Sequence, residues 1–143
     1  MKNNYKISKL KIFSAEAGDV LHAMKKSDEG YNGFGEAYFS SINYGKIKAW
    51  KRHRQMTCNF IVPVGKILVV LVDNSDDANK YNEIILSKDN YVRLTISPMT
   101  WVGFQGISEG SSLLLNIADI SHNPDETDMK DTEQYNYEWS KYI

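Results

Sequence analysis

The chain has 143 residues and a mass of 16.4 kDa, which argues for one domain over residues 1–143. Its 17 basic and 18 acidic residues nearly cancel, so charge gives no general reason to expect a nucleic acid or an anionic membrane as partner. No apolar run reaches the roughly 20 residues of a membrane helix. The first eleven residues are polar and basic rather than leader-like, and the single cysteine, Cys58, excludes an internal disulfide. We therefore expect a cytoplasmic protein.

The first predicted element is one short N-terminal helix. Residues 15–26 carry four apolar side chains at roughly helical spacing, Ala17, Val20, Leu21 and Met24. This pattern is typical of an amphipathic helix that packs one face on a core.

From residue 37 onward the sequence predicts short strands separated by turn signals, such as Asn43-Tyr44-Gly45, Pro63-Val64-Gly65 and the polar stretch 73–77. The runs of strand type are Ala37–Ile42, Ile47–Trp50, Asn59–Val62, Ile67–Val72, Asn82–Leu86, Tyr91–Ile96 and Ser112–Ile117. Strands this short and closely spaced indicate an all-β sandwich or barrel.

For two of these strands, the pattern of apolar and polar residues also predicts which faces are buried. Tyr91–Ile96 alternates between apolar and polar side chains, which favours a strand with one face in water. Ile67–Val72 is apolar throughout, so we expect it to be buried on both faces in the middle of a sheet.

Residues 127–143 predict an acidic and aromatic C-terminal arm outside a core of about residues 30–126. The arm is weakly apolar until a group of aromatic side chains, Tyr135, Tyr137, Trp139 and Tyr142. These aromatics dock either on the chain's own domain or on a second subunit, and the sequence leaves both alternatives open.

The stretch from Gly45 to Gly65, GKIKAWKRHRQMTCNFIVPVG, carries the most information about function. Its spacing resembles the first motif of the cupin superfamily, in which a His-x-His pair and a glutamate lie between two glycines. Lys51, His53 and Cys58 occupy those three positions here. A protonated lysine is a poor metal ligand, so we predict no metal and no other cofactor.

Strand geometry predicts where the basic run of this stretch points. Residues at i and i+2 on a strand face the same way, so Lys51 and His53 should enter a barrel mouth together. Arg52 and Arg54 should point away and form a solvated face. Cys58 is expected to act as a small buried apolar side chain rather than as a nucleophile.

A narrower resemblance covers about residues 30–126. Its segments are Gly35–Ser40, Lys48–His53 with Met56-Thr57 and Asn59, Val62–Gly65, Pro98 with Trp101–Phe104, and Asn116–Asp119 with His122-Asn123-Pro124 and Glu126. Together they are similar to the dTDP-4-dehydrorhamnose 3,5-epimerase family of metal-free sugar-nucleotide cupins, closest to a shorter subgroup with a Lys-Arg-His run. The resemblance implies a jelly-roll cupin barrel and a homodimer. It also implies a dTDP- or GDP-linked 4-keto sugar in the barrel mouth and a role in surface-polysaccharide synthesis.

The proton-transfer groups of that family are changed in type here. Its enzymes remove a proton next to the C4 keto group with a histidine, and a tyrosine on the opposite face of the sugar returns one. The family's histidine falls on Lys51 and its tyrosine falls on His122. Its upstream arginine falls on Lys48, and the histidine of its His-Gly-Phe run falls on Val102.

Three interpretations of these replacements stay open. In the first, Lys51 acts as base and His122 as partner acid of a nucleotide-sugar epimerase or isomerase. In the second, the cations bind a nucleotide-diphosphate sugar without turnover, alone or in support of a partner enzyme. In the third, the changed residues have ordinary structural roles, and His122 is a surface-loop residue.

Five further side chains are candidates for substrate binding: Lys48, His53, Asn59, Trp101 and Glu36. Lys48 and His53 belong to the basic run, and Asn59 belongs to the family pattern. Trp101 is either a stacking platform for a base or sugar or a core residue. Glu36 shares a strand face with Tyr38 and can reach the pocket.

Overall fold

The structure, a computed structural model, describes residues 4–73 and 80–143, and nearly all of its regular structure is β-strand. The strands are β1 (Tyr5–Lys9), β2 (Ile12–Phe13), β3 (Val20–Leu21), β4 (Glu36–Asn43), β5 (Ile47–His53), β6 (Cys58–Val64), β7 (Lys66–Asp73), β8 (Lys80–Ser87), β9 (Val92–Ile96), β10 (Trp101–Gly106), β11 (Ser111–Ala118) and β12 (Thr127–Met129). Two 3₁₀ turns span Pro124–Glu126 and Thr132–Gln134. No helix in the described ranges is long and apolar enough to cross a membrane.

The all-β prediction is confirmed, and each of the seven predicted strands is present close to its predicted bounds. The structure adds strands that lacked a clear sequence signal, among them β1, β10 and β12. Of the predicted turn at 73–77, all but the first residue lies outside the described residues.

Two five-stranded sheets pack face to face and enclose the core. One sheet has the order β1-β9-β6-β11-β4 and the other has the order β12-β5-β10-β7-β8, with antiparallel pairing throughout. Apolar side chains from the facing sides, such as Phe60, Val69, Leu94 and Leu114, form the core between them. Burial of these facing sides is the main stabilising contribution to a two-layer β fold.

The predicted N-terminal helix is wrong. Part of residues 15–26 forms β3, which pairs with β2, and Gly18 has a φ of 137°, a conformation that a right-handed helix does not contain. The carbonyl of His22 accepts a hydrogen bond from Tyr91 (2.7 Å), and that of Ala23 accepts one from Arg93 (3.0 Å). These carbonyls are therefore bonded to side chains of Tyr91 and of β9 rather than to a helix backbone.

The same contacts overturn the predicted wet face of β9, because all five of its residues are buried. Arg93 is only 2% exposed, and its guanidinium also donates to the carbonyl of Glu29 (2.7 Å). The segment that was predicted to be helical, together with the turn after it, covers this side of the sheet. The prediction for Ile67–Val72 is confirmed, since the whole run is buried.

The C-terminal aromatics dock on the chain's own domain, the first of the two alternatives. Tyr137 and Trp139 pack with Trp50 and Tyr81 on the outer side of the second sheet. The last residues of the arm bind Glu83 of β8, whose carboxylate accepts hydrogen bonds from Tyr137, Lys141 and Tyr142. This aromatic layer lies on the side of β5 that faces away from the core.

Candidate active site

A cavity of about 470 Å³ opens between the two sheets, within the size range of small-molecule sites. Its lining residues are Tyr38, Ser40, Ile47, Lys48, Ala49, Trp50, Lys51, His53, Cys58, Phe60, Val102, Phe104, Leu114 and Met129. The cationic and imidazole groups come from β5, and the phenol and hydroxyl groups come from β4 on the opposite sheet.

A β-bulge in β5 brings two lysines to the same wall. Val102 and Phe104 of β10 lie two residues apart and both line the cavity, and they pair with Lys51 and Lys48, which lie three residues apart. The extra residue of β5 is absorbed between these pairs, and cross-strand partners share a face of the sheet. Lys48 therefore joins Lys51 and His53 on the cavity wall, although strict alternation would place it on the other side.

His53 and Glu126 form a buried pair at this wall. His53 Nδ1 is hydrogen-bonded to the carboxylate of Glu126, which is 3% exposed. The second carboxylate oxygen accepts the backbone N–H groups of Gln55 (3.0 Å) and Met56 (3.2 Å). Burial raises the pKa of Glu126, but the hydrogen bonds from His53 and these two amides outweigh it and hold the pKa below its ordinary value.

This arrangement fixes the tautomer of the neutral imidazole. An ionised Glu126 can only accept, so Nδ1 of His53 carries the proton and the lone pair lies on Nε2. A histidine held in this way is a suitable proton acceptor for a ligand in the cavity.

We expect the Glu126 carboxylate to make a pH-dependent contribution to the free energy of unfolding. We expect Glu126→Gln to lower the free energy of unfolding at pH 7 by about 1–3 kcal/mol, because a neutral amide forms weaker hydrogen bonds than the charged carboxylate that accepts from His53, Gln55 and Met56. The folded pKa of Glu126 lies below its ordinary value of 4.5, so the wild-type contribution is complete above that value and is lost as the pH falls through the folded pKa.

Denaturant unfolding of both proteins between pH 7 and pH 3 checks this expectation, with Glu133→Gln, at an exposed position, as the matched control. The stability difference should narrow below about pH 4.5. A difference that is constant over the whole range would contradict the assigned charge of Glu126.

Tyr38 provides a phenol on the opposite wall. Its hydroxyl oxygen accepts a hydrogen bond from Asn116 Nδ2 (3.1 Å). Burial raises the pKa of Tyr38, the Asn116 donor lowers it, and the charge of Glu36 raises it further, so the net change is upward. Tyr38 therefore keeps its proton at neutral pH.

Two other lining groups complete the polar surface of the cavity. Lys48 is exposed, and its ammonium donates to Ser40 Oγ (3.1 Å) and to the carbonyl of Ser41 (2.8 Å), so it bridges the two sheets. Cys58 is buried, and desolvation raises the pKa of its thiol to about 12. The thiol is thus protonated at neutral pH, in line with the expected apolar role.

The structure brings together three of the residues singled out in the sequence, Lys48, Lys51 and His53. His122 lies in an exposed loop after β11 and does not line the cavity, so the predicted pairing of Lys51 with His122 has no geometric support. Glu36 lies at the start of β4, where its charge reaches Tyr38 although its side chain is not part of the lining.

Asn59 and Trp101 lie on the other faces of their strands. The side chain of Asn59 accepts from Thr95 (2.6 Å) and donates to the carbonyl of Ile117 (3.1 Å), which is a structural role between strands. Trp101 is buried in the outer aromatic layer with Tyr135. Their predicted roles in substrate binding therefore find no support in the placement of these side chains.

Arg52 and Arg54 point away from the cavity, as the alternation predicts. Both pair with Asp128 of the neighbouring strand β12, and the Arg52 guanidinium also lies over the Trp101 ring at 4.9 Å. These two ion pairs help to hold β12 against β5 on the outer side of the sheet.

Sequence reasoning missed Glu126 and Tyr38 as site residues. Glu126 is 73 residues from His53 along the chain, so only the fold shows that the two side chains meet. Tyr38 carried a usable signal, because it shares a strand face with Glu36 and the pattern of β4 turns that face inward.

The two facing antiparallel sheets, with basic groups and a phenol around a cavity of small-molecule size between them, define a cupin-type barrel. The chain belongs to the family described as FdtA, WxcM-like, C-terminal, which it matches over residues 3–139. It is also 26% identical to the spore coat polysaccharide biosynthesis protein SpsL of Bacillus subtilis, an alignment that covers 98% of this chain and 97% of SpsL.

Solved structures show the same relationship. The dTDP sugar isomerase of Desulfovibrio desulfuricans G20 superposes with a TM-score of 0.90 at 35% identity, covering 96% of this chain and 91% of that one. The dTDP-4-dehydrorhamnose 3,5-epimerase of Sulfolobus tokodaii shares the fold, with a TM-score of 0.80 at 22% identity over 94% of this chain and 81% of that one. The predicted membership of an epimerase-like cupin family is confirmed.

Proposed function

We propose that the chain isomerises or epimerises a dTDP-linked 4-keto sugar, with His53 as general base. The observation that carries this proposal is the buried His53–Glu126 pair, which directs a basic imidazole nitrogen to a cavity that also holds a lysine ammonium and a protonated phenol. The 35% identical dTDP sugar isomerase and the polysaccharide-biosynthesis relative support the substrate class and the pathway class.

The proposed reaction begins with proton removal next to the keto group. His53 Nε2 takes the proton, the C–H electron pair becomes a carbon–carbon double bond, and the keto oxygen becomes an enolate. The ammonium of Lys51 stabilises the negative charge on that oxygen. Tyr38, on the opposite sheet, returns a proton to carbon. Protonation of the same carbon from its other face gives an epimer, whereas protonation of the former keto carbon gives a shifted ketone, as the hydroxyl proton of the neighbouring carbon moves to the former keto oxygen. Solvent then removes the proton from His53 and restores that of Tyr38.

This assignment moves the role of base from Lys51 to His53. A lysine ammonium has no lone pair, so it suits charge stabilisation, whereas the imidazole held by Glu126 has a lone pair directed away from the carboxylate. We place the diphosphate of the substrate at the exposed Lys48, whose cationic head lies between the two sheets.

A second candidate is a sugar-nucleotide binding protein without turnover, favoured by the lysine at the position where the resembling family has its histidine. Calorimetry with a panel of nucleotide sugars, followed by product analysis of each ligand that binds, separates the two candidates. We expect a dTDP-4-keto sugar to bind and to be converted. Binding without any product would support the second candidate and contradict ours.

We further propose that the chain acts in the cytoplasm as one cupin domain and that it forms a homodimer through the outer side of β4 and β11. Six uncharged side chains face outward there, in the cross-strand pairs Ala37–Ile117, Phe39–Leu115 and Ser41–Leu113. Phe39 is 63% exposed in the single chain. A contiguous apolar patch of this kind is typical of an interaction surface.

We expect Phe39→Asp to convert the dimer to a monomer, because a charge buried in an apolar interface without a partner is strongly unfavourable. Light scattering coupled to size-exclusion chromatography gives the mass. Phe13→Asp, at a site that is 51% exposed on β2, is the matched control and should leave the dimer intact. A wild-type protein with the mass of one chain would refute the proposed dimer.

A further inference from the structure

We propose that Asn116 is a positioning residue that directs the hydroxyl proton of Tyr38 into the cavity; this inference rests on the proposed function. Asn116 lies on β11, is completely buried, and contacts Tyr38 of the neighbouring strand β4.

The orientation of the Asn116 amide follows from its second contact. Asn116 Oδ1 accepts the backbone N–H of Asn59 at 2.9 Å. A backbone N–H can only donate, so the amide oxygen must lie on that side and the NH₂ group must face Tyr38. The flip of this side chain is therefore fixed by the main chain of β6.

An NH₂ group facing the phenol determines where the phenolic proton points. Nδ2 has no lone pair to offer, so it donates to the Tyr38 oxygen and cannot accept the hydroxyl proton. Rotation of the hydroxyl then leaves its proton directed away from Asn116. Since Tyr38 lines the cavity, a bound sugar is the group that receives this proton.

Two neighbours of Tyr38, Cys58 and Glu36, leave the direction of its hydroxyl proton unchanged. The Asn116 amide also reaches the thiol of Cys58 and acts to lower its pKa, but burial raises that pKa to about 12 and the thiol stays neutral. The charge of Glu36 favours the protonated phenol. Both groups therefore leave Tyr38 as a proton donor.

Asn116→Asp is the sharpest test, because it keeps the size and the acceptor for Asn59 N–H but replaces the donor with a carboxylate oxygen. The Tyr38 hydroxyl should then donate to that carboxylate and turn its proton out of the cavity. We expect kcat for the dTDP-4-keto sugar to fall about 100-fold, the lower end of a general-acid contribution, with KM changed far less. Asn43→Asp, the same change at an exposed position of β4, should behave as wild type.

The double variant Asn116→Asp/Tyr38→Phe separates positioning from general damage. If Asn116 acts through Tyr38, the double variant should be no slower than Tyr38→Phe alone. Losses that multiply in the double variant, or full activity in Asn116→Asp, would overturn the inference.

Asn116→Leu provides a test that does not require a buried carboxylate to fold. Because the Asn116 hydrogen bond lowers the pKa of Tyr38, its removal should raise the pKa of this phenol, measured by ultraviolet difference titration against the same variant carrying Tyr38→Phe. A phenol pKa that is the same in Asn116→Leu and in the wild type would refute the contact through which Asn116 acts. A wild-type protein without turnover would instead refute the proposed function, so the two failures are distinguishable.

Discussion

His53→Asn should lower kcat for a dTDP-4-keto sugar by about 10²–10⁴-fold, the usual contribution of a general base. Asparagine still fits beside the Glu126 carboxylate but has no basic nitrogen to take a carbon-bound proton. Ligand affinity measured by calorimetry should change little, because Lys48, which attracts the diphosphate, remains. Steady-state kinetics with product detection gives the size of the effect.

The matched control for this variant is His122→Asn. It makes the same chemical change at the exposed histidine that the sequence analysis assigned as proton donor, and His122 lies outside the cavity lining. We expect its kcat to equal that of the wild type. The reverse outcome, with an active His53→Asn and an inactive His122→Asn, would restore the pairing of Lys51 with His122 and contradict our assignment.

Lys51→Met should lower kcat by about 10²–10³-fold, the effect of removing one group that stabilises a developing oxyanion. Methionine keeps most of the length and the apolar contacts of the lysine stem but lacks the charge. Lys46→Met, at an exposed position of the same region, is the control and should retain full activity.

Lys51→Arg distinguishes charge stabilisation from catalysis by the lysine itself. A guanidinium keeps the positive charge, so a charge-stabilising role predicts measurable residual turnover well above that of Lys51→Met. If Lys51 were the base or formed a Schiff base with the keto group, both variants would be equally inactive. Trapping of a covalent adduct with borohydride would show the Schiff base directly and contradict our mechanism.

The fold was largely predictable because turn signals and apolar runs are local properties. The run at 67–72 is apolar on both faces, and it lies in the middle of a sheet between β10 and β8. The helix at 15–26 was wrong because the side chains of Tyr91 and Arg93, distant in sequence, donate hydrogen bonds to its carbonyls. The wet face of β9 was wrong for the same reason, since Arg93 is buried under that segment.

The site was predictable only where it follows from strand geometry. The shared face of Lys51 and His53 comes from a spacing of two residues, but the inward position of Lys48 depends on a bulge that no pattern indicates. Glu126 and Asn116 act through tertiary contacts across 73 and 78 residues of sequence. The positions of Trp101 and Asn59 outside the cavity lining could not be predicted, because the sequence does not show which face of their strands is turned inward.

Proton NMR of a dTDP-4-keto sugar incubated with the enzyme in heavy water measures the central step directly. We expect the signal of the hydrogen next to the keto group to disappear with the wild type and with His122→Asn, and to persist with His53→Asn. Persistence of that signal with the wild-type enzyme, for a sugar that calorimetry shows to be bound, would contradict proton abstraction by this site.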